Sequence, residues 1–365
     1  MLSDDLFAEA ERQLNICNSC RYCAGYCPVW PALELRTQLT VTDVTHLSNL
    51  CHDCQDCFTA CMYSPPHEFA VNPPQVFASV REETYGSYVW PAEPPAALRG
   101  RRGVLAAFLG SAVLVAVLAL LMGESSVVDG SHTRSPYELI PHFTLAVIVL
   151  IPTIFTLLVM ARAAWRYWRD IGGTLAGLTD LAAWTRTFGQ AATLRHQTGG
   201  QEGCSYPDGE PAGARRRFHH MVAYGFLLTF VSTVSAFILE TFLDSAPPYD
   251  VVSVPVLSGT IGGVLASVGC VGLLVLKRRA DVLQSTESMR RADHALLWAL
   301  LALMLSGLAV LVLRATPVFG PVLGLHLATV IVAFAIAPYT KFFHWVYRVL
   351  SIQYDNRESR RRASA

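Results

Sequence analysis

Charged residues are scarce in this sequence, and neither sign dominates. Asp, Glu, Lys and Arg make up 15% of the 365 residues, whereas a soluble domain carries about a quarter. The formal net charge is zero, so the overall balance gives no reason to expect nucleic acid as a partner. The stretch "MLSDDLFAEAERQLN" also lacks the basic start and apolar core of a secretory signal. The remaining composition is strongly apolar, with a mean hydropathy of +0.37, which is typical of a membrane protein.

Motifs of common catalytic sites are also missing. The sequence contains no glycine-rich phosphate loop, no flavin or NAD fingerprint and no convincing nucleophile–base pair. It therefore predicts no catalytic residues, and it leaves open whether the chain itself has quinone reductase activity.

Six apolar runs are long enough to cross a hydrocarbon core of about 30 Å, which takes about 20 residues. They lie near 103–123, 139–161, 218–242, 254–276, 294–313 and 321–346. This pattern predicts an N-terminal domain at 1–90, a linker at 91–102, a six-span domain at 103–348 with a long loop at 162–217, and a basic tail at 349–365.

Arginines mark one side of the predicted membrane domain. They cluster in 162–217, in 277–293 and in the tail, whereas the alternate connections carry only Arg134 and Arg314. The positive-inside rule then places both termini and the two basic loops of this multi-pass protein on the cytoplasmic side of its membrane.

The long inner loop contains two further patterns. "AAWRYWRD" extends the second span with Trp165, Tyr167 and Trp168, which is typical of an interfacial aromatic belt. "LTDLAAWTRTFGQAATLRH" predicts an amphipathic helix. This loop is either a simple surface helix with its connections or a docking surface for a partner.

Eight of the ten cysteines form two arrays of identical spacing. Each array reads C-x2-C-x2-C-x3-C, and the members are Cys17, Cys20, Cys23 and Cys27, then Cys51, Cys54, Cys57 and Cys61. Three closely spaced thiolates can bind three irons of a cubane, and two-cluster ferredoxins take the fourth ligand from the other array. The spacing therefore predicts one [4Fe-4S] cluster on Cys17, Cys20, Cys23 and Cys61, and a second on Cys51, Cys54, Cys57 and Cys27. Zinc and disulfides explain the doubled spacing less well.

The segment between the arrays has a helical apolar pattern that includes Val44 and Leu47, with Thr42 or Asp43 as the cap. No pair of alternating strands is present. We therefore expect an all-α fold: a helical ferredoxin-like two-cluster domain followed by a six-helix bundle of the cytochrome b type.

Histidines near both ends of the spans predict haem. His326 and His344 are 18 residues apart in the sixth span, which is five turns at about 3.6 residues per turn, so both should share one face, apart from a kink at Pro338. His142 lies at the same depth as His326, which predicts an outer b-type haem between them. An inner haem would use His344 with either His219 or His220, and His294 is a reserve ligand. One or two haems are expected, because ionisable side chains inside a bilayer are costly and usually functional.

The whole chain resembles the tricarballylate/citrate utilisation B proteins. The matching stretches are "CNSCRYCAGYCPV", "CHDCQDCFTACMYSPPHEFAVNPP", "RRRFHHMVAYGFLL" and "APYTKFFHWVYR". The resemblance implies a membrane iron–sulfur and haem protein that reoxidises a separate FAD-dependent dehydrogenase, the A protein, and passes electrons to quinone. It implies haem-ligand roles for His219, His220, His326 and His344, which stand inside these stretches. His142 is predicted as a ligand only from its depth in the membrane.

The sequence thus favours an electron conduit from flavoprotein to quinone. Two alternatives are a redox sensor or membrane anchor without steady-state quinone reduction, and a transporter that uses the histidines as a proton relay. Tyr339, Lys341 and Arg348 are polar candidates near a quinone site. The flavoprotein's substrate, the quinone type, the oligomeric state and the roles of Cys204 and Cys270 stay open.

Overall fold

The computed structural model describes residues 2–94, 100–123, 135–199, 203–280, 283 and 285–363. Within these residues there are fourteen α-helices and no β-strand, so the all-α prediction is confirmed. Residues 95–99 of the predicted linker and the connection that carries Arg134 lie outside the described residues.

Five helices build the N-terminal domain. They are α1 (Asp4–Cys20), α2 (Val29–Glu34), α3 (Val41–Leu50), α4 (Asp56–Thr59) and α5 (Pro73–Tyr88). Helix α3 begins one residue before the predicted cap. Thr40 is the actual N-cap and forms a capping box with Asp43, because its hydroxyl accepts the amide of Asp43 at 3.2 Å. The cap predicted at Thr42 or Asp43 was therefore wrong.

Among the described residues, six helices are long and apolar enough to cross a membrane, and they match the six predicted runs. They are α6 (Gly100–Met122), α7 (His142–Asp170), α10 (Ala214–Leu243), α11 (Val254–Arg279), α12 (Glu287–Val312) and α13 (Phe319–Ile336). Large apolar side chains point outward from them; Leu121 and Phe143, for example, are 77% and 78% exposed. Such surfaces are compatible with lipid rather than with water.

Glycines bring α10 and α11 into backbone contact. A Cβ atom added at Gly225 would lie 2.5 Å from the amide nitrogen of Ala266 and 2.7 Å from the carbonyl oxygen of Gly262. Only glycine permits this approach, which is the close packing expected of small residues between spans.

The expectation of one continuous helix from His326 to His344 is wrong. Helix α13 ends at Ile336, short 3-10 turns follow at Ala337–Tyr339 and Lys341–Phe343, and a new helix α14 runs over His344–Ala363. Pro338 lacks an amide hydrogen and stops the hydrogen-bond ladder. Thr340 is extended, and its hydroxyl accepts the amide of Phe342 at 3.2 Å. His326 and His344 therefore do not share a face of one helix, and the turns before α14 determine where His344 lies.

Helix α14 joins the N-terminal domain to the membrane domain. Its Ile352 belongs to the apolar core of the N-terminal domain, together with Leu47 and Phe77. Arg36 forms ion pairs with Glu358 at 3.0 Å and with Asp43 at 2.9 Å. The predicted basic tail is thus largely a packed helix.

The inner loop also packs against α14. It contains α8 (Leu175–Leu178) and the predicted amphipathic helix, which is confirmed as α9 (Leu181–Ala192). The buried Thr187 hydroxyl donates to Gln353 at 2.9 Å and accepts from Asn356 at 3.0 Å.

The predicted aromatic belt at the end of the second span is mostly wrong. Tyr167 and Trp168 are fully buried, and Tyr167 shares a hydrogen bond of 2.5 Å with Ser351 of α14. Only Trp165 is substantially exposed, at 43%. The two rings are buried because α14 covers this end of α7, which a pattern confined to the span could not indicate.

Candidate metal centres

The first group of cysteines lies at the end of α1 and in the turns that follow. A cavity beside it is lined by thiols of both arrays: Cys17, Cys20, Cys23, Cys57 and Cys61. Burial raises the pKa of Cys17 to about 12, and Cys61, Cys23 and Cys20 are close enough to add to that rise. Cys61 of the second array thus lies with the first three cysteines. Cys20 is solvent-exposed.

The second group lies deeper in the molecule. Cys51 and Cys54 are 8% and 6% exposed. Burial raises the pKa of Cys27, and its nearest charged neighbour is Cys51. Burial likewise raises the pKa of Cys57, with Cys27 and Cys51 adding to the rise. Cys27 of the first array thus lies among the cysteines of the second.

These donors suit iron–sulfur clusters better than single ions. In the described residues, no three His, Cys, Asp or Glu side chains converge as one bare ion would need. A zinc ion holds four ligands at about 2.0–2.3 Å from one point, whereas a cubane spreads its ligands over four corners. Each group instead offers four thiols and no histidine, and such soft donors favour iron–sulfur chemistry. The residues fit the clusters predicted for them.

Cys204, in the inner loop, lies against the second group, which sequence reasoning did not foresee. Its thiol is fully buried, and it is packed with Cys54 and Tyr206. Cys54 and Cys204 share a hydrogen bond that raises the pKa of Cys54 and lowers that of Cys204. The amide of Ser205 donates to Asp56 at 2.5 Å. The loop therefore covers the second group from the membrane side.

His219 and His344 lie side by side at the boundary between the two domains. Their ring centres are 6.3 Å apart and their planes are inclined at 80°. A metal held between two imidazole nitrogens at about 2 Å from each places the ring centres roughly 6 Å apart. His344 Nδ1 lies 2.5 Å from the carbonyl oxygen of Lys341, which leaves Nε2 available as a ligand. The spacing of the two rings fits a site in which His219 and His344 would hold one haem between them.

His220 and His294 face elsewhere. His220 Nε2 lies 3.2 Å from the carbonyl oxygen of Ala192, and its ring lies beside Tyr224. His294 Nδ1 lies 2.9 Å from the carbonyl oxygen of Arg290, one turn earlier in α12. Of the two neighbouring histidines that open the third span, the structure brings His219 to His344.

His326 stands in the apolar half of the bundle with Ser306 as its polar contact. Its Nδ1 lies 3.0 Å from the Ser306 hydroxyl, and a Cβ added at Gly307 would lie 3.2 Å from its ring. A ligand imidazole usually has such a partner on its second nitrogen. His326 is therefore a residue that would hold a haem if one binds here.

His142 does not reach His326. Its ring contacts are with Tyr137 at 5.0 Å and Phe237 at 6.4 Å. Helices α7 and α13 run in the same direction and are joined where Thr156 donates to the carbonyl of Phe334 at 2.5 Å. His142 precedes Thr156 by more residues than His326 precedes Phe334, so it lies about 9 Å further along the axis.

Lys341 and Tyr339, two of the three polar candidates for a quinone site, differ in their hydrogen-bond partners. Lys341 forms an ion pair with Asp293 at 2.6 Å. The Tyr339 hydroxyl is buried and has no hydrogen-bond partner within the described part of the chain. Cys270 is fully buried among apolar residues of α11 and α12, as expected of a packing residue.

The fold and these side chains define a class: a chain with a cysteine-rich N-terminal domain of ferredoxin type and six helices consistent with a membrane protein. Two family models match it. The citrate utilization protein B Fer4-like domain covers residues 10–87, and citrate utilization protein B covers residues 98–365. The chain belongs to the citrate utilization protein B family.

A curated relative supports the assignment. The chain is 36% identical over 350 residues to citrate utilization protein B of Escherichia coli, and the match spans 94% of this chain and 90% of that protein. No solved structure matches the chain.

Proposed function

We propose that this protein carries electrons from a cytosolic FAD-dependent dehydrogenase of the tricarballylate utilisation A type to membrane quinone. It would use two [4Fe-4S] clusters and one or two b-type haems. The dehydrogenase's substrate would be a tricarboxylate such as tricarballylate or citrate. The proposal includes an inner-membrane location with both termini cytoplasmic.

The order of the sites carries this proposal. The exposed Cys20 puts the first cysteine group at the surface, where a soluble partner can approach it. The second group is buried, and Cys51 lies near the guanidinium of Arg348. Arg348 is one helical turn from His344 in α14. These positions support a proposed order of electron transfer in which the first cluster lies at the surface, the second is buried, and the haem site lies next to α14.

Each residue has a role in this series. Cys17, Cys20, Cys23 and Cys61 would hold the cluster of entry, and Cys51, Cys54, Cys57 and Cys27 would hold the second. His219 and His344 would hold the inner haem, and His326 would be one ligand of an outer haem. His142, the partner predicted from depth, lies about 9 Å too far along the axis to be the other ligand in this arrangement. These groups supply one-electron chemistry when bound, which joins the two-electron couples of flavin and quinone.

Spectra of the purified protein test the cofactors. We expect EPR signals of two reduced [4Fe-4S] clusters and a haem Soret band. His219→Ala and His344→Ala should lose the same haem, while His220→Ala is the matched control and should retain it. Full haem content in both ligand variants would contradict the haem assignment.

Turnover separates a conduit from a sensor. Reduced flavoprotein is added to the protein in lipid nanodiscs with a quinone analogue. We expect continuous quinone reduction that stops in Cys61→Ala. Clusters that become reduced without steady-state quinone reduction would favour the sensor instead. A protein that contains no haem at all would favour the proton-relay alternative.

A further inference from the structure

Two arginines flank the His219–His344 pair. Arg215 precedes His219 by four residues in α10, and Arg348 follows His344 by four residues in α14. Residues four apart lie on the same face of a helix. Both guanidinium groups are therefore one turn from the pair, on the side of the N-terminal domain.

Arg215 has partners within the protein. It donates to the carbonyl of Asp53, lies 3.7 Å from the Asp53 carboxylate, and stacks 4.6 Å above the ring of Tyr206. Arg215 thus links α10 to the N-terminal domain through its contacts with Asp53.

Arg348 has no such partner. Its Nε is buried and unbonded, and within the described residues the side chain forms neither a hydrogen bond nor an ion pair. Its titratable neighbours are Arg81, Tyr85, Cys51 and Arg215, none of which is a carboxylate. Burial lowers the pKa of Arg348, and Arg81 adds to the effect. The side chain is half-buried, and its Nε is shut off from water without a partner. Because an unpaired cation in such a place is costly, this position favours an anion.

The nearby carboxylates are already engaged. Asp53 is paired with Arg215, and Asp293 is paired with Lys277 and Lys341 at 2.6 Å each. The anion must therefore come from a bound group. A haem held by His219 and His344 brings two propionate carboxylates into this neighbourhood, and arginine is the side chain best suited to bind a carboxylate.

We propose that Arg348 is the binding site for a propionate of the haem held by His219 and His344. The inference rests on the proposed function, because it needs that haem. The planar guanidinium would fix the orientation of the haem about the His–His axis. Its positive charge would also stabilise the propionate and raise the haem's reduction potential.

Variants of two arginines on α14 test the proposal. Arg348→Gln should release haem to excess apomyoglobin roughly 10- to 100-fold faster, the factor for one lost charge-assisted hydrogen bond. The midpoint potential of the haem should also fall, and Arg348→Lys should recover part of both effects. Arg357→Gln is the control, because Arg357 is also buried on α14 but donates to Thr174 at 2.6 Å. It should behave as the wild type.

A second measurement works even if Arg348→Gln does not fold. Wild-type protein from haem-deficient cells is reconstituted with haem or with haem dimethyl ester, which has no free carboxylates. The ester should be released faster than haem, and by a similar factor to that of Arg348→Gln with haem. If that variant folds, it should release haem and ester at similar rates.

The outcomes separate the inference from the function. Wild-type protein without a Soret band would refute the proposed haem itself. A Soret band with unchanged haem release and potential in Arg348→Gln would overturn the inference alone. A shift confined to the EPR midpoint of the second cluster would also overturn it, since Arg348 would then balance the charge of that cluster.

Discussion

Asp293 holds together three segments at the boundary of the membrane domain. The chain contains only two lysines, Lys277 and Lys341, and both pair with this one carboxylate at 2.6 Å. Lys277 is near the end of α11, Asp293 lies in the first turns of α12, and Lys341 is in the break between α13 and α14. Asp293→Asn should therefore loosen the segment that ends at His344.

The size of the effect follows from burial. The side chains of Lys277, Asp293 and Lys341 are 22%, 19% and 18% exposed. Removal of one partner from a fully buried pair costs about 3–5 kcal/mol. Because each of these side chains keeps part of its surface in water, we expect about 2–4 kcal/mol for Asp293→Asn. Burial already lowers the pKa of Lys341 to about 8, and loss of the carboxylate should lower it further.

Thermal unfolding in nanodiscs measures this cost against a matched control. Glu287→Gln makes the same acid-to-amide change in the same helix, but its pair with Arg291 is 69–73% exposed, and such pairs contribute about 0–1 kcal/mol. We expect Asp293→Asn to lower the Tm by about 3–5 °C and Glu287→Gln by much less. Equal shifts for the two variants would refute the argument that burial of the lysine–aspartate cluster matters.

Three further changes have defined outcomes. Arg81→Gln removes the guanidinium that hydrogen-bonds Cys51; the EPR midpoint of the second cluster should fall by on the order of 50–100 mV while that of the first stays constant. Burial raises the pKa of Asp355 to about 6. Between about pH 4 and pH 6 the folded protein therefore keeps a proton on Asp355 that the unfolded chain has lost. The free energy of unfolding should thus fall as the pH rises through that window. Asp355→Asn should therefore add about 1–2 kcal/mol at pH 7.5, and scanning calorimetry should show the gain shrinking as the pH falls toward 4. Gly225→Leu should separate α10 from α11 and abolish the folded, haem-retaining fraction on size-exclusion chromatography, whereas Gly110→Leu, with nothing within 4 Å of its Cβ, should elute as the wild type.

Patterns that depend on neighbouring residues were readable from the sequence. The six spans follow from apolar length, and α9 follows from helical periodicity. Cys61 was expected to share a cluster with Cys17, Cys20 and Cys23 because the array spacing is that of two-cluster ferredoxins. These four cysteines line one cavity together with Cys57, and the shared cluster stays a prediction. In each case a short-range or repeated pattern contains the necessary information.

Features that depend on contacts between distant segments were not readable. Tyr167 and Trp168 were expected at a lipid interface, yet α14 buries them. Cys204 had no spaced partners in the sequence, and its contact with Cys54 joins segments 150 residues apart. His344 lies beside His219 although the sixth helix is broken, because the turns at Lys341–Phe343 set the direction of α14. No local pattern encodes where such a turn will point.

Helix α14 has a consequence for the order of synthesis. The N-terminal domain is synthesised before α14, but its apolar core includes Ile352 of α14. The ion pair between Arg36 and Glu358 also cannot form until α14 is present. Until α14 has been synthesised, the core of the N-terminal domain lacks the contacts of Ile352, and Tyr167 lacks its hydrogen-bond partner Ser351. The two halves of the protein can thus join fully only after α14 has been synthesised. This leaves an interval in which the cysteines are less covered than they are in the folded protein.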